Sequence, residues 1–218
     1  MKSVRKKIVS SRSEFISDGL NEEELSADPI DQFEKWMDEA MREDPEMANA
    51  VHLATTGPDG RPSGRIVLLR GFDQRGFVFY TNYDSRKGSD LKINNNASMT
   101  FFWSKSYRQV RIEGTVFKLP PGESDSYFSS RPRESNISAL ASRQSRPLEN
   151  RRILEERVRE LENMLKDQTI KRPDNWGGYC LSPLYIEFWQ GMTHRLHDRI
   201  FYRRENTNTP WTRGRLYP

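Results

Sequence analysis

The sequence predicts an α+β fold, an antiparallel β-barrel with flanking helices. Three observations lead there. Short strand-like runs recur between Ala48 and Leu119 and again after Pro173, mostly joined by tight turns. Two other stretches, 29–43 and 121–168, read as helical instead. No glycine-rich strand-to-helix fingerprint occurs, which disfavours a parallel dinucleotide-binding sheet.

In chain order, residues 1–27 read as a flexible, irregular arm, with five basic residues and no acid among the first 13. Residues 28–218 read as one domain. Asp28-Pro29 is an N-cap followed by proline at the first helical position. Ile30, Phe33, Met37, Ala40 and Met41 then give a helix over 29–43 its apolar stripe. AVHLATT is a strand, GPDG (57–60) a turn and RPSGRIVLLRGF a second strand. A hairpin loop over 73–76 leads into the strand FVFYTN. SRKGSDLKINNN is a short helix with Ser85 as N-cap, followed by the strands ASMTFFW and RQVRIEGTVFKL. The stretch SDSYFSSRPRESNISALASRQS is helical but broken at Pro132, which cannot continue a helix interior. From Leu148 to Asp167 a strong helix carries Leu154, Val158, Leu161 and Leu165 on one side. That seam spans little more than two heptads, so packing on the barrel is favoured over a coiled coil. Three strands close the chain: GYCLSPLYIEFWQG, HRLHDRIFYRR from His194, and WTRGRLYP.

Composition narrows the function classes. With 218 residues, 34% hydrophobic, 30% charged, and 11 Phe, 8 Tyr and 5 Trp, the chain can build a core. The single Cys180 excludes an internal disulfide framework and predicts a reducing, cytoplasmic setting. Three histidines without an HExxH pattern predict no metal site. No apolar run approaches the roughly 20 residues of a membrane helix. The net charge is +4. Acids are interspersed with the bases and no RNA-binding signature occurs, so no nucleic-acid partner is expected.

Charges gather at strand and helix ends. Arg65 and Arg70 bracket the apolar IVLL; five positions apart, they share a site only if the strand bulges or Arg70 sits past its end. Arg86-Lys87 follows Ser85 at a helix start, where free N–H groups and the helix dipole favour a phosphate. Tyr127, Arg131 and Ser135 are spaced by four and form a second phosphate-sized set. Gln109, Gln144 and Ser145 suit the polar edge of a ring, and Trp189 offers a flat surface. In HRLHDRIFYRR, strand alternation puts Arg195, His197 and Arg199 on one face, a row that is costly to bury without an anion. Two basic clusters and several ring-edge groups suggest two phosphorylated aromatic ligands, or one ligand with two anionic ends.

In RIVLLRGF, FVFYTNYDSRKG, RQVRIEG, YFSSRPRESNI, ASRQS, WGGY, IEFWQG, RLHDR and RLYP the chain resembles the pyridoxine (pyridoxamine) 5′-phosphate oxidases, over nearly all of its length after residue 28. The resemblance implies a split β-barrel that binds FMN as a homodimer and oxidises pyridoxine or pyridoxamine 5′-phosphate to pyridoxal 5′-phosphate, with O2 as acceptor and H2O2 as product. It implies that Arg65, Ile66, Val67, Leu68, Tyr80, Thr81, Arg86, Lys87, Gln109, Gln144, Ser145, Trp189 and Arg199 hold FMN. It places Arg70, Tyr127, Arg131 and Ser135 on the substrate phosphate, and Arg195, Leu196 and His197 on the rest of the substrate. Arg195, His197 and Arg199 are its candidate catalytic residues. Arg70 stands where the family usually has Lys, and Arg12 and Phe15 stand where the arm often carries Arg and Tyr. These departures keep open a second reading, a protein of the same fold that holds FMN or pyridoxal phosphate with weak or no turnover.

Overall fold

Local chemistry sets the elements of the computed structural model, which describes residues 14–218. Arg12 therefore lies outside the described residues. Asp28 accepts the Ile30 N–H and caps α1 (Pro29–Glu43), whose buried face is Ile30, Phe33, Trp36, Met37 and Ala40. The strands are β1 (Ala50–Thr56), β2 (Pro62–Leu68), β3 (Gly71–Asp73), β4 (Gly76–Asn82), β5 (Asn96–Trp103), β6 (Arg108–Lys118), β7 (Trp176–Gln190), β8 (Asp198–Arg203) and β9 (Thr212–Arg215). Four further α-helices are α2 (Arg86–Ile93), α3 (Pro121–Ser130), α4 (Arg133–Ala141) and α5 (Arg151–Met164). The strands pair in the order β2-β1-β5-β6-β7-β4-β3, with β8 added to β7 and β9 to β8. The fold class is the expected α+β antiparallel split barrel with flanking helices.

The chain divides into two compact units. One comprises residues up to Ala48 with Phe101–Arg111 and Tyr185–Pro218. Its core is aromatic: Phe33 lies 5.2 Å from Phe101, Trp36 5.1 Å edge-on to Phe188, and Phe188 5.7 Å from Tyr202. Tilted and edge-on pairs of this kind stabilise beyond the area they bury. The Trp103 indole N–H, buried here, donates to the Ala48 carbonyl.

The other unit comprises Asn49–Thr100 and Ile112–Leu184. Here β4 pairs with the first half of β7 from Phe77↔Leu181 to Asn82↔Trp176, and Phe79 and Tyr179 stack at 5.6 Å. Leu154, Val158 and Leu165 flank a cluster of Ile137, Ala141 and Leu161. The seam of α5 thus packs on α4, whose Ile137, Leu140 and Ala141 give it a short apolar face, rather than on the sheet.

Two stretches depart from the expected elements. The run RPSGRIVLLRGF is split: β2 ends at Leu68, and the chain resumes as β3 at Gly71. Leu69 N–H bonds back to the Asn49 carbonyl, whereas Arg70 N–H bonds to the Val78 carbonyl, so the backbone changes partner between them. The strand expected from His194 begins only at Asp198. Thr193–Arg195 is a single 3-10 turn, with His194 and Arg195 at φ 55° and 61°. Two successive left-handed residues cannot be pleated, so alternation does not place Arg195 and His197 beside Arg199.

Candidate functional site

The break after β2 builds the main cavity. Because Arg70 lies past the strand end, it joins Arg65, Ile66, Val67 and Leu68 around a hollow of about 630 Å3. That volume falls within the range of small-molecule sites. Tyr80, Thr81, Arg86, Lys87, Tyr127, Arg131, Gln144 and Ser145 complete the wall, with two residues the sequence reading did not select, Ser63 and Trp176. Five cations therefore line one hollow.

At one pole, Ser85 caps α2 by accepting the Gly88 N–H, which fixes the helix start and its free N–H groups. Lys87 is buried beside it. Its ammonium donates to Thr81 Oγ1 at 3.0 Å, Ser85 Oγ at 3.4 Å and Gln144 Oε1 at 3.1 Å, all neutral oxygens. Burial, with a smaller push from Arg65, lowers the Lys87 pKa to about 8. Arg65 is also held below its ordinary value, chiefly by burial and against the attraction of Asp90. Ser145, at φ 71°, turns the chain sharply after Gln144.

At the other pole, three rings lie nearly parallel: Tyr80 and Tyr127 at 3.8 Å, and Tyr127 and Trp176 at 6.2 Å with a 1° interplanar angle. The Arg131 guanidinium sits 4.5 Å over Trp176. Its Nη2 donates to the Ser135 carbonyl at 3.0 Å, while Nη1 is buried without a protein partner. Ser135 thus meets Arg131 through its backbone, not through the hydroxyl its spacing suggested. Burial lowers the Arg131 pKa, and Arg70 adds to that. An orphaned guanidinium nitrogen and an ammonium with neutral partners fit anionic ligand groups, since an unmatched buried donor is costly. Trp176 opens the WGGY run. Its role was hidden because only the fold brings it onto Tyr127.

The remaining candidates lie in the other unit. Trp189 stands 4.7 Å from the His197 ring, and Phe15 packs on Tyr107, Trp189 and His197 at 4.8, 5.9 and 5.8 Å. His197 Nδ1 accepts the Met192 N–H at 3.1 Å, so a neutral His197 carries its proton on Nε2. Burial and Arg195 keep the imidazole pKa below its usual value. Leu196 is exposed, and Gln109 lies two residues before Arg111 on β6. Arg199 does not await an external anion as the row argument required. Its Nε and Nη2 grip the buried Glu187 carboxylate at 2.8 and 3.1 Å, and Arg111 and the Tyr185 hydroxyl reach the same group at 3.1 and 3.0 Å. Glu187 escaped the sequence reading because its partners come from three strands. Among the described residues no helix is long and apolar enough to cross a membrane.

Comparison with known proteins gives a consistent answer. The family profile "Pyridoxamine 5'-phosphate oxidase" matches residues 37–165, and "Pyridoxine 5'-phosphate oxidase C-terminal dimerisation region" matches 176–218. A pyridoxine/pyridoxamine 5′-phosphate oxidase of Rubrobacter xylanophilus is 49% identical over 98% of both chains. One of Salinibacter ruber is 48% identical over 97% of this chain and 99% of its own. Among solved structures, PhzG from Burkholderia lata, in complex with tetrahydrophenazine-1-carboxylic acid, superposes with TM-score 0.85 at 30% identity, covering 92% of this chain and 98% of its own. A pyridoxamine 5′-phosphate oxidase-related, FMN-binding protein from Nostoc punctiforme shares the fold, with TM-score 0.69 at 16% identity, covering 89% of this chain and all of its own. With two profiles spanning most of its length and relatives near 48% identity end to end, the chain belongs to the pyridoxine/pyridoxamine 5′-phosphate oxidase family.

Proposed function

We propose that this protein is an FMN-dependent oxidase that converts pyridoxine or pyridoxamine 5′-phosphate to pyridoxal 5′-phosphate, with O2 as acceptor and H2O2 as product. The carrying observation is a single hollow whose cations fall into two sets, Arg65/Arg86/Lys87 and Arg70/Arg131, with the stacked rings of Tyr80, Tyr127 and Trp176 beside the second. Two phosphate esters, one on each of two aromatic molecules, match that arrangement.

Arg65, Arg86, Lys87 and the N-terminus of α2 would hold the FMN phosphate. The stretch Ile66–Leu68 with Tyr80, Thr81, Gln144 and Ser145 would border the rest of FMN. Arg70, Tyr127, Arg131 and Ser135 would hold the substrate phosphate, with Arg131 Nη1 the donor still to be matched. In the other unit, Gln109, Trp189 and Arg199 are proposed as flavin contacts, and Arg195, Leu196 and His197 as substrate contacts. A neutral His197 can donate from Nε2 to a substrate oxygen or nitrogen, because Nδ1 is already engaged. Bound FMN supplies two-electron acceptor chemistry, and O2 carries the electrons on to peroxide. The match to a dimerisation region supports a homodimer.

The test is to add FMN and then pyridoxine 5′-phosphate to the purified protein in air. Expected are stoichiometric flavin binding and equal yields of pyridoxal 5′-phosphate and peroxide. A protein that takes up no FMN would sink the reading.

A further inference from the structure

Arg65 reaches the cavity from an edge strand, and an edge-strand arginine has many ways to swing into water. Here it does not. Its Nη1 donates to Thr55 Oγ1 at 2.8 Å and to the Leu53 carbonyl at 3.3 Å, and its Nη2 donates to Ser63 Oγ at 2.8 Å. Thr55 sits on β1 and is almost fully buried. Its hydroxyl donates to the equally buried Asp90 at 2.7 Å. A hydroxyl has one proton, and an ionised carboxylate only accepts. With that proton committed to Asp90, the Thr55 lone pairs are free to receive Arg65. Asp90 itself lies 3.9 Å from Arg65 Nη2, too far for a hydrogen bond but close enough for attraction. It belongs to α2, one turn beyond Arg86, so the same helix presents a phosphate-binding end and orients a cation toward it.

Of the five N–H groups of a guanidinium, three are thus taken by the protein, leaving Nε–H and one Nη2–H. We propose that Thr55 and Asp90 are positioning residues: the Asp90–Thr55 pair locks the Arg65 guanidinium so that its two remaining N–H groups meet the ligand phosphate. This rests on the FMN reading of the cavity and adds two residues to it. It also makes a counter-intuitive demand on charge. Asp90 is an acid beside an anion site, and simple Coulomb reasoning says its removal should help an anion bind. If Asp90 works by holding Thr55 and Arg65 in place, its removal should hurt instead.

Flavin-stripped full-length protein, titrated with FMN and with riboflavin and followed by flavin fluorescence, separates these cases. Riboflavin lacks the phosphate and reports on the rest of the site. Thr55→Val removes the hydroxyl yet suits a strand. It is expected to weaken FMN by roughly ten- to a hundredfold, the loss of a hydrogen bond to a charged group, and to leave riboflavin within about threefold. Thr55→Ser is expected to restore FMN binding. Asp90→Ala is expected to weaken FMN selectively despite adding a net positive charge. Thr55→Val that binds FMN like the parent, or that loses both flavins by the same factor, overturns the proposal. So does Asp90→Ala that binds FMN as tightly or more tightly. A parent protein that binds neither flavin removes the FMN reading itself, and the proposal with it.

Discussion

Lys87 Nζ donates to Gln144 Oε1 at 3.1 Å, joining the start of α2 to the loop after α4 across 57 residues of chain. The ammonium is buried, and the oxygens it meets in this cluster are neutral. Its folded pKa, about 8, lies below the ordinary 10.5. Between those values the unfolded chain holds the proton and the folded chain does not. Stability of the flavin-free protein therefore rises with pH across that window, and the burial cost is fully present below about 8. Anion binding runs the other way, since it needs the charged form. FMN affinity is expected to fall as pH rises through about 8, and a Lys87→Met variant should lose that dependence. The same variant should bind FMN weakly yet unfold at higher denaturant. The flavin-free gain is on the order of 1–3 kcal/mol, because each pKa unit corresponds to about 1.4 kcal/mol. Thr81 Oγ1 already donates to Gln144 Oε1 at 3.0 Å, so both groups keep a partner of their own when the lysine is replaced.

Arg131 separates the two poles experimentally. Its guanidinium covers Trp176, and its Nη1 has no protein partner. Arg131→Lys keeps the charge but loses the planar fork. Steady-state kinetics should show KM for pyridoxine 5′-phosphate raised by roughly tenfold or more, with FMN affinity changed little. An equal loss of both would mean that the poles do not divide the ligands as assigned.

Glu187 is 1% exposed and shared by Arg111 and Arg199. Removing one arginine leaves the carboxylate the other and the Tyr185 hydroxyl. Removing both strands a buried charge, a loss of about 3–5 kcal/mol. Urea unfolding of Arg111→Met, Arg199→Met and the double variant should show a double loss larger than the two single losses added. Simple additivity would mean the carboxylate finds other compensation.

Two glycines with positive φ should respond differently to alanine. Gly60 (φ 75°) has open space where a Cβ would go, so Gly60→Ala should cost only the left-handed backbone term, about 1–2 kcal/mol. At Gly76 (φ 139°) the Cβ would stand 1.9 Å from the Leu181 carbonyl oxygen, so β4 and β7 must part. Thermal unfolding should place Gly76→Ala well below Gly60→Ala.

Much of the framework was legible because local chemistry decides it. Asp28-Pro29 fixed the start of α1, Ser85 that of α2, and Pro132 the break between α3 and α4. What could not be read depends on partners distant in sequence. The break at Leu69 and Arg70 looks like continuous strand until Asn49 and Val78 claim adjacent N–H groups. His194 and Arg195 carry no side-chain signal of left-handed backbone, so the sequence pattern runs the strand from His194 while the backbone enters it only at Asp198. From sequence the charge of Arg199 calls for a ligand, because its partner Glu187 lies on the neighbouring strand, two positions along from Trp189, the residue Arg199 faces in register. The cationic residues around the main cavity were all selected from sequence, since exposed-looking basic residues at element ends carry their own signal. Trp176, Thr55, Asp90 and Glu187 needed the fold.

The central claim is that one hollow neutralises a flavin phosphate at one pole and a vitamin B6 phosphate at the other. The most direct test is the absorption spectrum of the FMN-loaded protein when pyridoxine 5′-phosphate is added without oxygen. Loss of the yellow flavin band, reversed on admitting air, is the predicted result. A band that persists with pyridoxine 5′-phosphate bound at saturation would contradict it.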